Sequence, residues 1–356
     1  MSDPRLADYA RLLVDRCIDV QPGWQVIVRS TPAARPLVDE IVAAIAARGA
    51  YALPRLSFQR VSLWTAEAPL EQLGRLPSID AYELDHADTF IVVDAPENTR
   101  DGSDIPAERL NLRRQASRPH VEPYFAGEKP WVGCQFPTPA LAQDAGMSVR
   151  MYAEFLYGAV LVDWDGLATR MREIADRFDR AESVRVTGDG TDLTFSLAGR
   201  EGCVDAAGAN MPGGEVFYSP VEDSAEGEIT FSEYPACYGG RAVERVRLRF
   251  EDGRVVDASA ATDEGFLIAT LDTDEGARVL GEFGIGCNPG IQRHTRNTLF
   301  DEKIEGTVHF AVGSGFAFLG GTNQSAVHWD MVKNLRGNGR IEVDGETVQE
   351  NGQWRI

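Results

Sequence analysis

The apolar pattern of this chain changes period once, near residue 181, and that change limits what it can fold into. Before it, helix and strand patterns alternate. Leu6, Tyr9, Leu13 and Cys17 share a helical face. Gly23 opens a short apolar strand beginning at Trp24. A second helix runs through Leu37, Ile41, Val42 and Ile45, with Gly49 suited to its C-cap. Tyr51 to Phe58 reads as extended, and a helical stretch follows around Leu70 to Leu76. Thr89-Phe-Ile-Val-Val-Asp has the unbroken apolar character of a buried parallel strand. A helix over Glu108 to Ala116, a strand over Trp131 to Phe136 and helices through Val149 to Arg180 continue the rhythm. Such βαβ alternation predicts an α/β domain with an open, mostly parallel sheet.

From about residue 181 the period falls to two and glycine turns punctuate it. Val184 to Leu197 reads as one hairpin, Val246 to Val256 as a second, and Ile341 to Val348 as a third. This second half reads as an α+β domain rich in antiparallel strands. A chain of 356 residues exceeds what one core organises, so two domains are expected, 1–180 and 181–356.

Charge narrows the partners. Lys and Arg total 35 against 55 Asp and Glu, a formal net charge of −20, which repels phosphate backbones and anionic lipid. Nucleic acid and membrane surfaces are therefore not expected as partners. No apolar run is long enough to cross a bilayer, and MSDPRLADYA has no signal-peptide pattern, so a cytoplasmic protein is expected. Five cysteines without a CxxC pair argue against a disulfide framework and a zinc ribbon.

The candidate chemistry lies in the second half. Of five histidines, three fall in the last quarter. If Val327-His-Trp-Asp-Met is a strand, His328 and Asp330 share one face and Trp329 points to the other. In Gly306-Thr-Val-His-Phe-Ala-Val-Gly, Val308, Phe310 and Val312 take one face, leaving His309 beside the small Ala311 and Gly313. Asp272 is suited to cap a helix carrying Ala277, Val279 and Leu280. After it, Glu282 alternates with Phe283 and Ile285 and shares its face with Gly284 and Gly286. Glu215 follows a diglycine turn. Each residue alone suits a solvated or packed role equally well. Together they are five metal-competent side chains, each opposite an apolar face, enough for two cations with mixed nitrogen and oxygen ligands. His309, His328 and Asp330 by themselves satisfy the two-His-one-carboxylate rule for non-haem iron. Walker, GxGxxG and GxSxG patterns are lacking.

At these residues the sequence resembles the M29 family of metallo-aminopeptidases, the aminopeptidase T and S group. The resemblance spans nearly the whole chain, from Leu13 to Val26 onward. It is strongest in Gly214-Glu-Val-Phe, Asn297-Thr-Leu-Phe-Asp-Glu-Lys-Ile, Gly306-Thr-Val-His and Asn323-Gln-Ser-Ala-Val-His-Trp-Asp. It implies two divalent cations, zinc or cobalt with manganese or iron as options, held by Glu215, Glu282, His309, His328 and Asp330. It also implies a homodimer acting on peptides or small molecules. Within the shared motifs, Glu302 is a candidate general base, and Asn323 and Ser325 are candidate donors around the ligands. The family carries a tyrosine seven residues after its first metal histidine, where this chain has Phe316. A phenyl ring cannot donate a hydrogen bond, and losing such a donor costs on the order of 100-fold in rate. Ser314 is the nearest candidate to replace it.

The leading expectation is thus a two-cation aminopeptidase. The alternatives are a related enzyme on small aromatic substrates, either a ring-cleaving iron dioxygenase or an aromatic aminohydrolase, and a metal-dependent binding protein without activity.

Overall fold

The computed structural model describes residues 3–58, 63–102, 104–125 and 127–355. The chain divides into two compact units, Met1–Leu161 with Ala207–Pro212, and Val162–Ala206 with Gly213–Ile356.

The first unit holds a five-stranded parallel sheet. Its spatial order is Tyr51–Leu56, Gln25–Ser30, Thr89–Asp94, Trp131–Gln135 and Asn210–Met211. The central strands are buried, as their unbroken apolar runs require. Helix Arg35–Ala47 buries Leu37, Val38, Ile41 and Ile45, one stripe at helical spacing. The two-residue strand Asn210–Met211 is too short to leave a signal in sequence.

The sequence pattern puts the domain boundary after residue 180, whereas the compact units divide at Leu161 and Val162. The difference is helix Trp164–Phe178. Asp163 caps it, accepting from the Gly166 N–H at 3.1 Å. Its buried stripe of Trp164, Leu167, Met171, Ile174 and Phe178 belongs to the second unit's core, where Phe178 meets Tyr218 and Phe283.

The second unit has two large antiparallel sheets. One is eight-stranded and contains all three hairpins read from sequence. The other is five-stranded, in the order His328–Asn334, Thr307–Gly313, Leu280–Gly286, Glu215–Tyr218 and Cys203–Asp205. Aromatic rings join the two. Phe195 of the larger sheet lies 4.9 Å from Phe283 and 5.7 Å from Phe310, centroid to centroid. Trp329 anchors the edge strand from the same side, stacked on Tyr238 at 5.2 Å. One expected helix is not there. Asp272 is the C-cap of helix Glu264–Leu271 rather than the start of a helix through Leu280. Residues 273–279 turn, and Leu280 begins a strand. The apolar spacing of Ala277, Val279 and Leu280 comes from a turn entering a buried strand. Among the described residues no helix is long and apolar enough to cross a membrane.

Phe283 is fully buried at the centre of this aromatic layer. Replacing it by alanine should destabilise the protein by about 3–5 kcal/mol through lost transfer energy and a residual cavity. Chemical denaturation measures this, and a loss below about 1 kcal/mol would mean that the layer does not hold the two sheets together.

Candidate metal centre

One face of the five-stranded sheet carries the aromatic layer, and the other gathers the charged residues. Register does the gathering. Glu282 pairs with Ala311, which pairs with Asp330, so two carboxylates flank a methyl group in one row. In three further rows of the same face, His309 lies beside Gly284, Glu215 beside Gly286, and His328 beside Gly313 at the start of the edge strand. All five expected ligands therefore share one face. Both Gly284 and Gly214 are required by close approach. A Cβ on Gly284 would sit 2.0 Å from the His309 ring, so the imidazole lies directly over that backbone. Gly214 has φ +110°, and a Cβ there would meet Asn288 at 2.7 Å. The Asn288 side chain donates to the Gly213 carbonyl at 3.0 Å and fixes the turn that delivers Glu215.

Backbone carbonyls set the tautomers of both histidines. His309 Nδ1 lies 3.0 Å from the Glu302 carbonyl, and His328 Nδ1 lies 2.8 Å from the Ser314 carbonyl. A carbonyl only accepts, so each Nδ1 carries its hydrogen and each Nε2 faces the carboxylates. His309 Nε2 is 3.3 Å from Glu282 Oε1 and 3.5 Å from Glu215 Oε2. His328 Nε2 is 3.0 Å from Glu282 Oε2 and 3.5 Å from Asp330 Oδ1. Glu282 thus stands between the two imidazoles with one oxygen toward each.

Electrostatics follow from burial. It disfavours the imidazolium, but the carboxylates outweigh it, raising His309 to about 9 through Glu282 and Glu215, and His328 to about 12 through Asp330 and Glu282. Burial works to raise Asp330, yet the charge of His328 holds it at about 2. Burial and the field of Glu215 push Glu302 up to about 8.

Sequence reasoning missed Lys303. Its side chain is 0% exposed, and its Nζ lies 3.0 Å from Glu215 Oε1 and also contacts Glu302. Burial alone would lower its pKa, but Glu215 and Glu302 raise it, so the ammonium persists. The chain has only three lysines, and two of them, Lys303 and Lys333, are buried in this unit.

Other candidates lie elsewhere. Asn323 donates to the Gly276 and Gly313 carbonyls, and Ser325 to Asp274. They brace the loop leading to His328 rather than the ligand side chains. Ser314 offers its carbonyl to His328, while its hydroxyl turns to the Gly315 carbonyl. Phe316 packs against His328 at 5.3 Å and Phe217 at 5.2 Å, so the wall there is apolar. His86 and His120 sit in the first unit, and His294 stacks on Tyr234 beside Asp301.

The donor atoms fit a metal. Glu215, Glu302 and His309 offer ligand atoms within 4.8 Å of one another, and so do Glu282, His328 and Asp330. Two buried carboxylate oxygens, Glu215 Oε2 and Asp330 Oδ1, accept no hydrogen bond among the described residues. Orphaned buried oxygens beside imidazole Nε2 atoms are what mixed nitrogen and oxygen coordination needs.

Comparison with known proteins agrees with this chemistry. The profile of the thermophilic metalloprotease (M29) family matches residues 2–354. The aminopeptidase AmpS of Bacillus subtilis is 27% identical, with 98% of each chain aligned. Aminopeptidase T of Thermus aquaticus is 34% identical over half of each chain. Wild-type AmpT of Thermus thermophilus has the same fold, with a TM-score of 0.84 at 24% identity over 99% of both chains. A 2,5-dihydroxypyridine dioxygenase of Pseudomonas putida shares the fold more distantly, with a TM-score of 0.65 at 17% identity over 99% of this chain and 98% of that one.

Gly284→Ala should displace the His309 imidazole. Bound divalent metal, read by elemental analysis, should fall by at least about tenfold while far-UV circular dichroism is retained. Full metal retention would show that His309 is not a ligand.

Proposed function

The chain belongs to the M29 family of thermophilic metalloproteases, and from that premise we propose that two divalent cations would be held by Glu215, Glu282, His309, His328 and Asp330, with Glu282 at the centre of the set. It is a metallo-aminopeptidase, a hydrolase of peptides at their N-termini. The observation that supports the central place of Glu282 is the placing of one of its oxygens toward each Nε2. Glu215 and His309 then lie on one side of it, and His328 and Asp330 on the other. Zinc or cobalt is the proposed pair, with manganese or iron compatible with the same atoms.

When bound, two such cations lower the pKa of water toward neutrality and polarise the scissile carbonyl. The protein supplies the rest. Carbonyl anchors hold both imidazoles with Nε2 forward. Lys303 keeps Glu215 in place by an ion pair at 3.0 Å. Glu302, raised to about 8, is matched to taking a proton from the attacking water near neutral pH and returning it to the leaving amine. His328, with 32% of its side chain exposed, marks the side from which substrate enters. A homodimer, implied by the family resemblance, and a cytoplasmic location, expected from the sequence pattern, complete the proposal.

Glu282→Gln should cut kcat/KM on aminoacyl chromogenic substrates by at least about 100-fold and lower bound metal below about two equivalents per chain. Full activity would remove Glu282 from the centre. Glu302→Gln should lower kcat by about 100-fold with metal content unchanged. Simultaneous loss of metal would make Glu302 a ligand instead.

A further inference from the structure

The first unit has a second concave site. Its parallel sheet starts at the central strand Gln25–Ser30, moves to Tyr51–Leu56 on one side, then returns across to Thr89–Asp94 on the other. In open parallel sheets, such a reversal leaves a crevice at the carboxyl ends of the strands, because consecutive crossovers take opposite faces. Here that crevice has a volume of about 300 Å³ and is lined by Arg29, Thr31, Arg55, Ser57 and Asp94, among others.

Two arginines converge at one edge of this crevice. Arg29 and Arg55 are in register on adjacent strands, so two guanidinium side chains leave the same face about 5 Å apart at their bases. Like charges directly opposite one another are unfavourable without a counter-ion. Glu83 supplies one, accepting from Arg55 Nε at 2.9 Å. The Arg29 side chain makes no hydrogen bond or close ion pair among the described residues, although Glu83 also lies within its field. The floor is fixed. The Ser30 hydroxyl donates to the Val93 carbonyl at 2.9 Å and the Thr31 hydroxyl to the Ala95 carbonyl at 2.6 Å. Asp94, at the end of the neighbouring strand, accepts from the Gln135 side chain at 3.4 Å and also lines the same crevice.

The geometry points to a binding site for a small phosphate ester of a hydroxyl-bearing molecule. Its phosphoryl group lies on Arg29 and Arg55, and its hydroxyls face Asp94. Paired guanidiniums match phosphate oxygens in a planar, multi-donor fashion, and a carboxylate on the next strand accepts from hydroxyls. The site lies wholly within the parallel-sheet unit and requires none of the metal centre's residues.

Isothermal titration of the full chain with ribose 5-phosphate, inorganic phosphate and ribose tests this. Saturable binding of the first two up to about 10 mM, and none of ribose, is expected. Arg29→Gln, which breaks no side-chain hydrogen bond or close ion pair among the described residues, should weaken both by at least about tenfold with a melting temperature changed by no more than about 2 °C. Asp94→Asn should weaken ribose 5-phosphate and leave inorganic phosphate unaffected. No saturable binding overturns the proposal. So does unchanged affinity in Arg29→Gln, which would move the anion to another place such as the metal centre. Equal ribose 5-phosphate affinity in wild type and Asp94→Asn overturns the hydroxyl contact.

Discussion

The second unit depends on an interior that gathers Glu215, Glu282 and Asp330 on one sheet face, sets Glu302 beside them from the turn after helix Thr298–Asp301, and still folds. Isolated buried carboxylates cost several kcal/mol each, so counter-charge has to come from within. Lys303 provides one permanent positive charge between Glu215 and Glu302. Two imidazoles provide two more when no metal is bound, held as cations by the carboxylates around them, and Glu302 is pushed toward its neutral form by burial and Glu215. A cation entering the site replaces those protons rather than creating a charge balance from nothing.

The face that carries this charge is kept in place by the one behind it. Phe283, Phe310 and Tyr218 alternate with Glu282, His309 and Phe217 along their strands, so packing and chemistry are alternate residues of the same segments. Small residues at Gly284, Ala311 and Gly313 leave the imidazoles and carboxylates their room. The result is a centre on strands, where each ligand atom inherits its position from hydrogen-bonded register.

Much of this was legible in the chain. Period-2 alternation around His309, Glu282 and His328 gives their faces directly, because side-chain direction in a strand is fixed by parity. Unbroken apolar runs such as Thr89 to Asp94 mark the parallel sheet for the same reason. Three things escaped. Helix Trp164–Phe178 looks like part of the α/β rhythm, since periodicity tells which face is buried but not against what. The segment around Asp272 has helical spacing by chance of a turn. Lys303 lies in a four-residue helix and turn, where no period exists to give its direction, and its burial depends on partners 88 residues away in sequence at Glu215.

The hydrogen that fixes each imidazole is given to a main-chain carbonyl, of Glu302 for one and Ser314 for the other. Every amino acid has that carbonyl. Single-base changes in the coding sequence at positions 302 and 314 can alter side chains but cannot delete those acceptors. Insertion or deletion of one codon within a strand is different, since it moves a residue from one face to the other. The lineage of such a centre should therefore show drift of the side chain at position 314, whose carbonyl alone is used, and constant strand lengths between its ligands.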